Sequence, residues 1–252
     1  MRSQKNLAKH GLRWCNALGV ATILMPWVVQ AASLEIDPVR VDLTPRQQTA
    51  AITIRNSSDE PITIEIKPVV WSQLDFKDVN SPTKELLVSP PIVTIPAKRT
   101  QIVRMALRRE PDATQELSYR INLQEVPAAP VPGVTGVQVA LRIGLPVFVT
   151  SKGGKSSPLM VWSLRREAGG QVVVKLQNQG TAHVQVSKVS LFNPGSNAVV
   201  AREAGSRYAL AGQSQEWRLA PAVAGNPSFA SLRLKADTNA GDVDQDIPLD
   251  QH

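Results

Sequence analysis

The 252 residues hold 28 Lys and Arg against 21 Asp and Glu. Arg2, Lys5, Lys9 and Arg13 all fall in the first 31 residues, so the remainder keeps 24 basic against 21 acidic residues, a net +3. So small a surplus excludes the strongly basic face that nucleic-acid binding asks for, and the sparse aromatics do not interleave with basic residues as a single-strand platform would. Cys15, the sole cysteine, lies in the same opening stretch, so beyond it disulfides, thiol catalysis and cysteine-ligated metals are excluded.

In chain order, residues 1–31 read as a secretory signal, with a basic start, an apolar stretch from Ala17 to Val29 and small residues at Val29-Gln30-Ala31 for cleavage. The run is short of the roughly 20 apolar residues that a bilayer needs and contains Pro26, so no stable membrane anchor is expected. From Leu34 the pattern has period two: Val39, Val41 and Leu43 alternate with Arg40 and Asp42, as a half-buried strand requires. Ala51 to Arg55 repeats it, Asn56 to Pro61 turns the chain, and Ile62, Ile64 and Ile66 alternate on the return, which predicts an antiparallel hairpin.

Further strands are expected at Ile92 to Ile95, Thr100 to Leu107 and Ser118 to Val126, with prolines between them. Val137, Val139, Leu141, Ile143 and Leu145 form an unusually long apolar row within Val137 to Thr150, a strand that wants a partner on that face. Residues 151–157, polar and glycine-containing, have a hinge composition, which divides the chain into domains at 32–150 and 158–252. Beyond it Leu159 to Leu164, Gln171 to Leu176, Val184 to Leu191 and Ser231 to Lys235 read as strands between turns at Gly169-Gly170, Asn178 to Gly180 and Asn193 to Gly195. No helical period follows the signal and no tandem repeat links the halves, so the fold class is all-β, two sandwiches.

Chemistry-bearing motifs are few. A hydrolytic triad needs a histidine near a nucleophile, and only His183 and His252 follow the signal; His183 alternates with Val184 and Val186 and reads as an exposed strand position. Gly154-Lys155-Ser156 lacks the leading glycine of a phosphate loop and reads as hinge. Asn56-Ser57-Ser58 is formally a glycosylation acceptor but serves as the turn. Trp71, Trp162 and Trp217 read as packing residues. Asp75 with Asp78, and Asp242, Asp244 and Asp246, lack the glycine and terminal glutamate of a calcium loop and read as solvated charge. Neither an enzyme nor a cofactor is expected.

Six blocks in a fixed order resemble the PapD-like periplasmic pilus chaperones: Ile36 to Leu43, Asn56 to Trp71, Val88 to Pro96, Val103 to Leu107, Ser118 to Pro127 and Val137 to Phe148. The second half matches more weakly, around Val161-Trp162 and Leu176 to Gly180. The resemblance implies two immunoglobulin-like sandwiches set in an L around a cleft, and a protein that lends a strand to pilus subunits lacking one. It makes Val137 to Leu145 the donor strand, with Val137, Val139, Leu141 and Ile143 as the row that fills the subunit's pockets.

The family binds the subunit's terminal carboxylate with an arginine on the first strand and a lysine near the end of the donor strand. Arg40 matches the arginine. The lysine position falls on Gly144 or Pro146, and Arg142, two and four residues away on the same face, is expected to substitute. Glu116 and Asp237 stand near the family's acidic interdomain pair, with Thr150 where the arginine between them is expected. The implied partners are pilus or fimbrial subunits, an outer-membrane usher and a second copy covering the donor strand; the implied place is the periplasm. A secreted two-domain β-sandwich adhesin or surface-binding module shares the signal, strands and charge, but does not need a cationic pair beside an exposed apolar strand.

Overall fold

The computed structural model describes residues 34–127, 140–167, 170–220 and 229–251, with Gln251 described by its backbone only. The signal reading, Val137 and Val139 therefore lie outside the described residues. Seventeen strands are described and no helix, and the described residues pack as one compact unit.

The first sandwich is built from β1 (Leu34–Asp37), β2 (Val41–Leu43), β3 (Thr49–Asn56), β4 (Ile62–Leu74), β5 (Lys77–Pro82), β6 (Leu86–Ser89), β7 (Ile92–Ile95), β8 (Thr100–Leu107), β9 (Leu117–Glu125) and β10 (Arg142–Val149). One sheet runs β1-β3-β8-β6; the other runs β2-β10-β9-β4-β5, with β7 also on β4. The period-two rows of the sequence meet between them: Ile52, Ile54, Val103 and Met105 from one sheet face Ile64, Ile66, Ile121 and Val147 from the other in a single buried cluster. Strands β1 and β2 belong to opposite sheets, so the chain crosses the seam at Pro38 to Arg40.

The second sandwich contains β11 (Met160–Arg166), β12 (Val172–Asn178), β13 (Val184–Phe192), β14 (Val199–Ala209), β15 (Ser214–Leu219), β16 (Ser231–Thr238) and β17 (Val243–Gln251), in the order β14-β13-β16-β17-β11-β12-β15. Strand β17 links its layers: residues up to Pro248 pair with β16 and the last three run parallel to β11. Trp162 and Trp217 pack within this core, as expected of packing residues.

The expected hairpin across Asn56 to Pro61 does not form. Strands β3 and β4 lie in different sheets, facing each other across the core, and the turn carries the chain from layer to layer. A strand with one apolar face satisfies it equally by lying beside its neighbour or opposite it, so alternation alone could not choose. Asn56 decides the matter locally. Its fully buried Nδ2 donates to the carbonyls of Glu60, Ile95 and Pro96, while its Oδ1 accepts from Ser58 N–H and Oγ. An amide nitrogen so enclosed cannot take a glycan.

Asn178 repeats this arrangement in the second sandwich. Its buried Nδ2 donates to the carbonyls of Ala182, Ala209 and Leu210, and its Oδ1 accepts from Leu159 and Gly180 N–H. Next to it, a Cβ on Gly180 would stand 2.2 Å from the Ser157 carbonyl oxygen and 2.4 Å from Leu159 N, so only glycine admits the linker here. The linker is tied at both ends, by Lys152 N–H to the Asp112 carbonyl and by Thr181 N–H to the Ser157 carbonyl.

Candidate functional site

Strand β10 pairs with β9 along its whole length, but with β2 only over Val147 to Val149. Among the described residues, Arg142 to Pro146 therefore have an unpaired edge, with backbone donors and acceptors that a further strand can satisfy. The two faces of this strand differ. Val149, Val147 and Leu145 are buried in the first core, Ile143 packs half-buried on its rim, and Leu141 is half-buried just before the strand. The apolar row thus runs out of the core toward the open end. There Leu34, Ile36 and Val39 join Ile143, Gly144 and Leu145 to line an apolar groove, with Val39 77% exposed.

On the other face stand Arg142, Gly144, Pro146 and Phe148, opposite Gln124, Asn122, Arg120 and Ser118 of β9. Arg142 is exposed and makes no hydrogen bond or ion pair among the described residues. Gly144 leaves a gap in the row, and a Cβ there would meet Arg120 Cδ at 3.5 Å. Arg120, from the neighbouring strand, lies along that gap. Its guanidinium sits 3.6 Å over the Trp71 ring, with Nη2 at 2.7 Å from Asp78 Oδ2. Sequence reasoning passed over this residue, because only the β9–β10 register places it beside Gly144 and Pro146.

Arg40, at the crossing between β1 and β2, is held by its Nε at 3.1 Å from Asp42 Oδ2 and keeps its side chain 38% exposed. Tyr208 of the second sandwich senses both arginines: burial raises the pKa of its hydroxyl, while the charges of Arg40 and Arg120 offset part of that rise. Of the two, Arg40 comes from the β1–β2 crossing and Arg120 from β9. Burial also pushes the Asp78 carboxyl up, but hydrogen bonds from Gln73 and Arg120 outweigh it and hold the group below the usual carboxylate range. The Trp71 indole N–H leans on the same carboxylate without closing a hydrogen bond.

The second sandwich covers this face. Trp71, Phe148 and Leu210 form a small buried cluster with Tyr208 against it, and Gln73 donates to the Tyr208 carbonyl while accepting from Leu210 N–H. His183 is not the exposed strand residue that its alternation suggests. It is 8% exposed, because Phe148 stacks on its ring and Glu116 Oε1 takes its Nδ1 at 2.7 Å and its backbone N–H at 3.0 Å. Glu116 thus touches the second sandwich through His183. Asp237 is exposed on β16 and its carboxylate makes no bond or ion pair among the described residues. Thr150, where an arginine was expected, gives its N–H to the Leu43 carbonyl, and Phe148 fills the space between the sandwiches.

Of the acidic positions, Asp78 pairs with Arg120 and Asp244 with Arg233 and Lys235, and no group of three or more metal-ligating side chains occurs among the described residues. No described helix is long and apolar enough to cross a membrane.

Together the fold and this site define an all-β protein of two sandwiches that leaves one strand edge open beside Arg120. Residues 33–154 match the family of pili and flagellar-assembly chaperones, PapD N-terminal domain. The match covers the first sandwich and the start of the linker. No curated protein matches it in sequence. Among solved structures it is similar to a chain of the CsuC–CsuE chaperone–tip adhesion subunit pre-assembly complex from the archaic chaperone–usher Csu pili of Acinetobacter baumannii, at 20% identity over 88% of this chain and 100% of that one, TM-score 0.63. It is also similar to a chain of the Salmonella enterica SafA pilin–SafB chaperone complex, at 15% identity over 86% and 96%, TM-score 0.58, and to the E. coli chaperone DraB, at 20% over 86% and 98%, TM-score 0.53. These likenesses extend the shared fold over both sandwiches.

Proposed function

We propose that this protein is a non-enzymatic periplasmic chaperone that captures pilus or fimbrial subunits by adding β10 to their incomplete sheet, then passes them to an outer-membrane usher. The observation that carries the reading is the unpaired edge of Arg142 to Pro146, lined by an apolar groove on one side, with Arg120 beside Gly144 and Pro146 on the other. An incoming subunit strand gains backbone hydrogen bonds along the edge, while the row Leu141 and Ile143, continued by Val137 and Val139, fills its groove. Arg40 and Arg120 hold the subunit's terminal carboxylate, and Arg142 extends the same cationic face outward. Guanidinium–carboxylate pairing fixes register as well as affinity. The reading of residues 1–31 as a signal supports the periplasm, and in the free protein a second copy can cover the open edge.

The test is co-purification. The tagged full chain is expressed in the periplasm with the subunit genes that neighbour it, and the complex is analysed by mass spectrometry. A pilin-like subunit recovered one-to-one supports the proposal; recovery of the chaperone alone, with subunits expressed and soluble, overturns it.

A further inference from the structure

The buried ring of His183 has no role in the capture of a subunit as just described, yet it is the second sandwich's most direct hold on β10. It lies face to face with Phe148, ring centroids 3.5 Å apart and planes within 8°. Three contacts fix the imidazole: Nδ1 at 2.7 Å and the backbone N–H at 3.0 Å from Glu116 Oε1, and Nε2 at 3.4 Å from Asn239 Nδ2. The set is chemically consistent when Nδ1–H donates to the carboxylate and the Nε2 lone pair faces the amide. Glu116 is tied independently, its N–H donating to the Thr181 carbonyl.

Phe148 is pinned from its other sides by Trp71 at 5.9 Å and Tyr208 at 5.8 Å between centroids. It lies four residues from Gly144 on the same face of β10, so whatever fixes Phe148 sets the height and twist of Arg142 to Pro146 relative to Arg120 and Arg40. We propose that His183 is a positioning residue for the open edge: from the second sandwich it clamps Phe148 and so holds β10 ready for an incoming strand. The inference rests on the reading of β10 as the capturing strand. It gives the second sandwich a part in capture although it contributes no residue to the edge.

Two variants separate the stack from the hydrogen bonds. His183→Gln keeps a side-chain donor toward Glu116 but removes the ring. The double variant Glu116→Gln/His183→Phe keeps a ring on Phe148 while leaving no carboxylate stranded. For the free full-length protein, amide hydrogen exchange over 142–149 and melting temperature are measured; for each variant, affinity is measured for the subunit that co-purifies with the wild type. The expected result is faster exchange across 145–149 and about tenfold weaker capture for His183→Gln, with the double variant close to wild type in both. Wild-type exchange in His183→Gln, or equal loss in both variants, overturns the positioning role. If wild-type protein captures no subunit while β10 loosens in His183→Gln, the clamp stands and the chaperone reading fails.

Discussion

Arg40, at the β1–β2 crossing, and Arg120, on β9, are each paired with a carboxylate of the first sandwich, Asp42 and Asp78. If both serve one incoming carboxylate, Arg40→Ala and Arg120→Ala should each weaken subunit capture by about 2–5 kcal/mol, the cost of truncating one partner of a desolvated charge pair. The double variant should be little worse than either single one. A double-mutant cycle checks this, and strictly additive losses would count against a shared ligand. Asp78 offers a second measurement at this scale. Its carboxyl is held below the ordinary aspartate value of 3.8, so its contribution to stability is present above that value and is lost as pH falls through the lower folded-state value. Asp78→Asn should therefore melt lower than wild type near neutrality, and the gap should close as the medium is acidified below pH 3.8.

The two buried asparagines make the strongest case that a residue's role depends on where the chain carries it. Asn56→Asp or Asn178→Asp would turn an amide that feeds three carbonyls into a group that repels them, at a cost of about 2–4 kcal/mol in a urea titration. In the sequence both stand in ordinary polar turn clusters. Their burial depends on strands that arrive some 30–40 residues later, which no local pattern reports.

Among the elements, β10 is the one whose two faces lead to different ends. The apolar row descends into the first core, and the opposite row passes from exposed Arg142 to buried Phe148. Leu141 stands at the open end of the apolar row, half-buried, so Leu141→Asp should abolish subunit capture while lowering the melting temperature only slightly. Unfolding of a monomeric variant would move the row into the core and remove it from the interface. Gly144 permits a complementary gain-of-function test. Its φ is not positive and a Cβ meets only ordinary contacts, so lysine fits there and would extend along the gap that Arg120 now fills. Gly144→Lys should restore most of the capture lost in Arg120→Ala; a fold-competent double variant with no recovery would show that the cation must come from β9.

Strands β3 and β4 carry the opposite lesson. Their alternation is legible, and each does bury the face its pattern marks, yet they do not pair with each other. Strand β5, with the sequence KDVNSP exposed throughout, carries no apolar signal and exists because β4 offers it backbone partners. The polar residues of β17 are similar: Asp244 and Asp246, read from composition as solvated turn charge, lie on a strand opposite Lys235 and Arg233.

At the scale of the whole molecule, the seam between the sandwiches is a small core. Trp71 and Gln73 lie on the outer side of β4, and are buried because Tyr208 and Leu210 cover that side. Such a seam should make the two sandwiches unfold together. Calorimetry on wild type is expected to show one transition, and Gln73→Ala, which strips the bond to Leu210 N–H, should split or broaden it. A single sharp transition retained at a lower temperature would place the coupling in the aromatic cluster instead.

Period-two rows, turn residues and the balance of charge were enough to determine that the chain is all-β and that it forms sandwiches. These are properties of neighbouring residues, and the hydrophobic effect acts on them wherever the chain goes. Only the tertiary structure decided that β3 and β4 part into opposite sheets, that Arg120 lies beside Gly144, and that His183 is buried against Phe148. Each of those depends on register between strands distant in sequence, and register is chosen by the packing of the whole core and not by any segment that enters it.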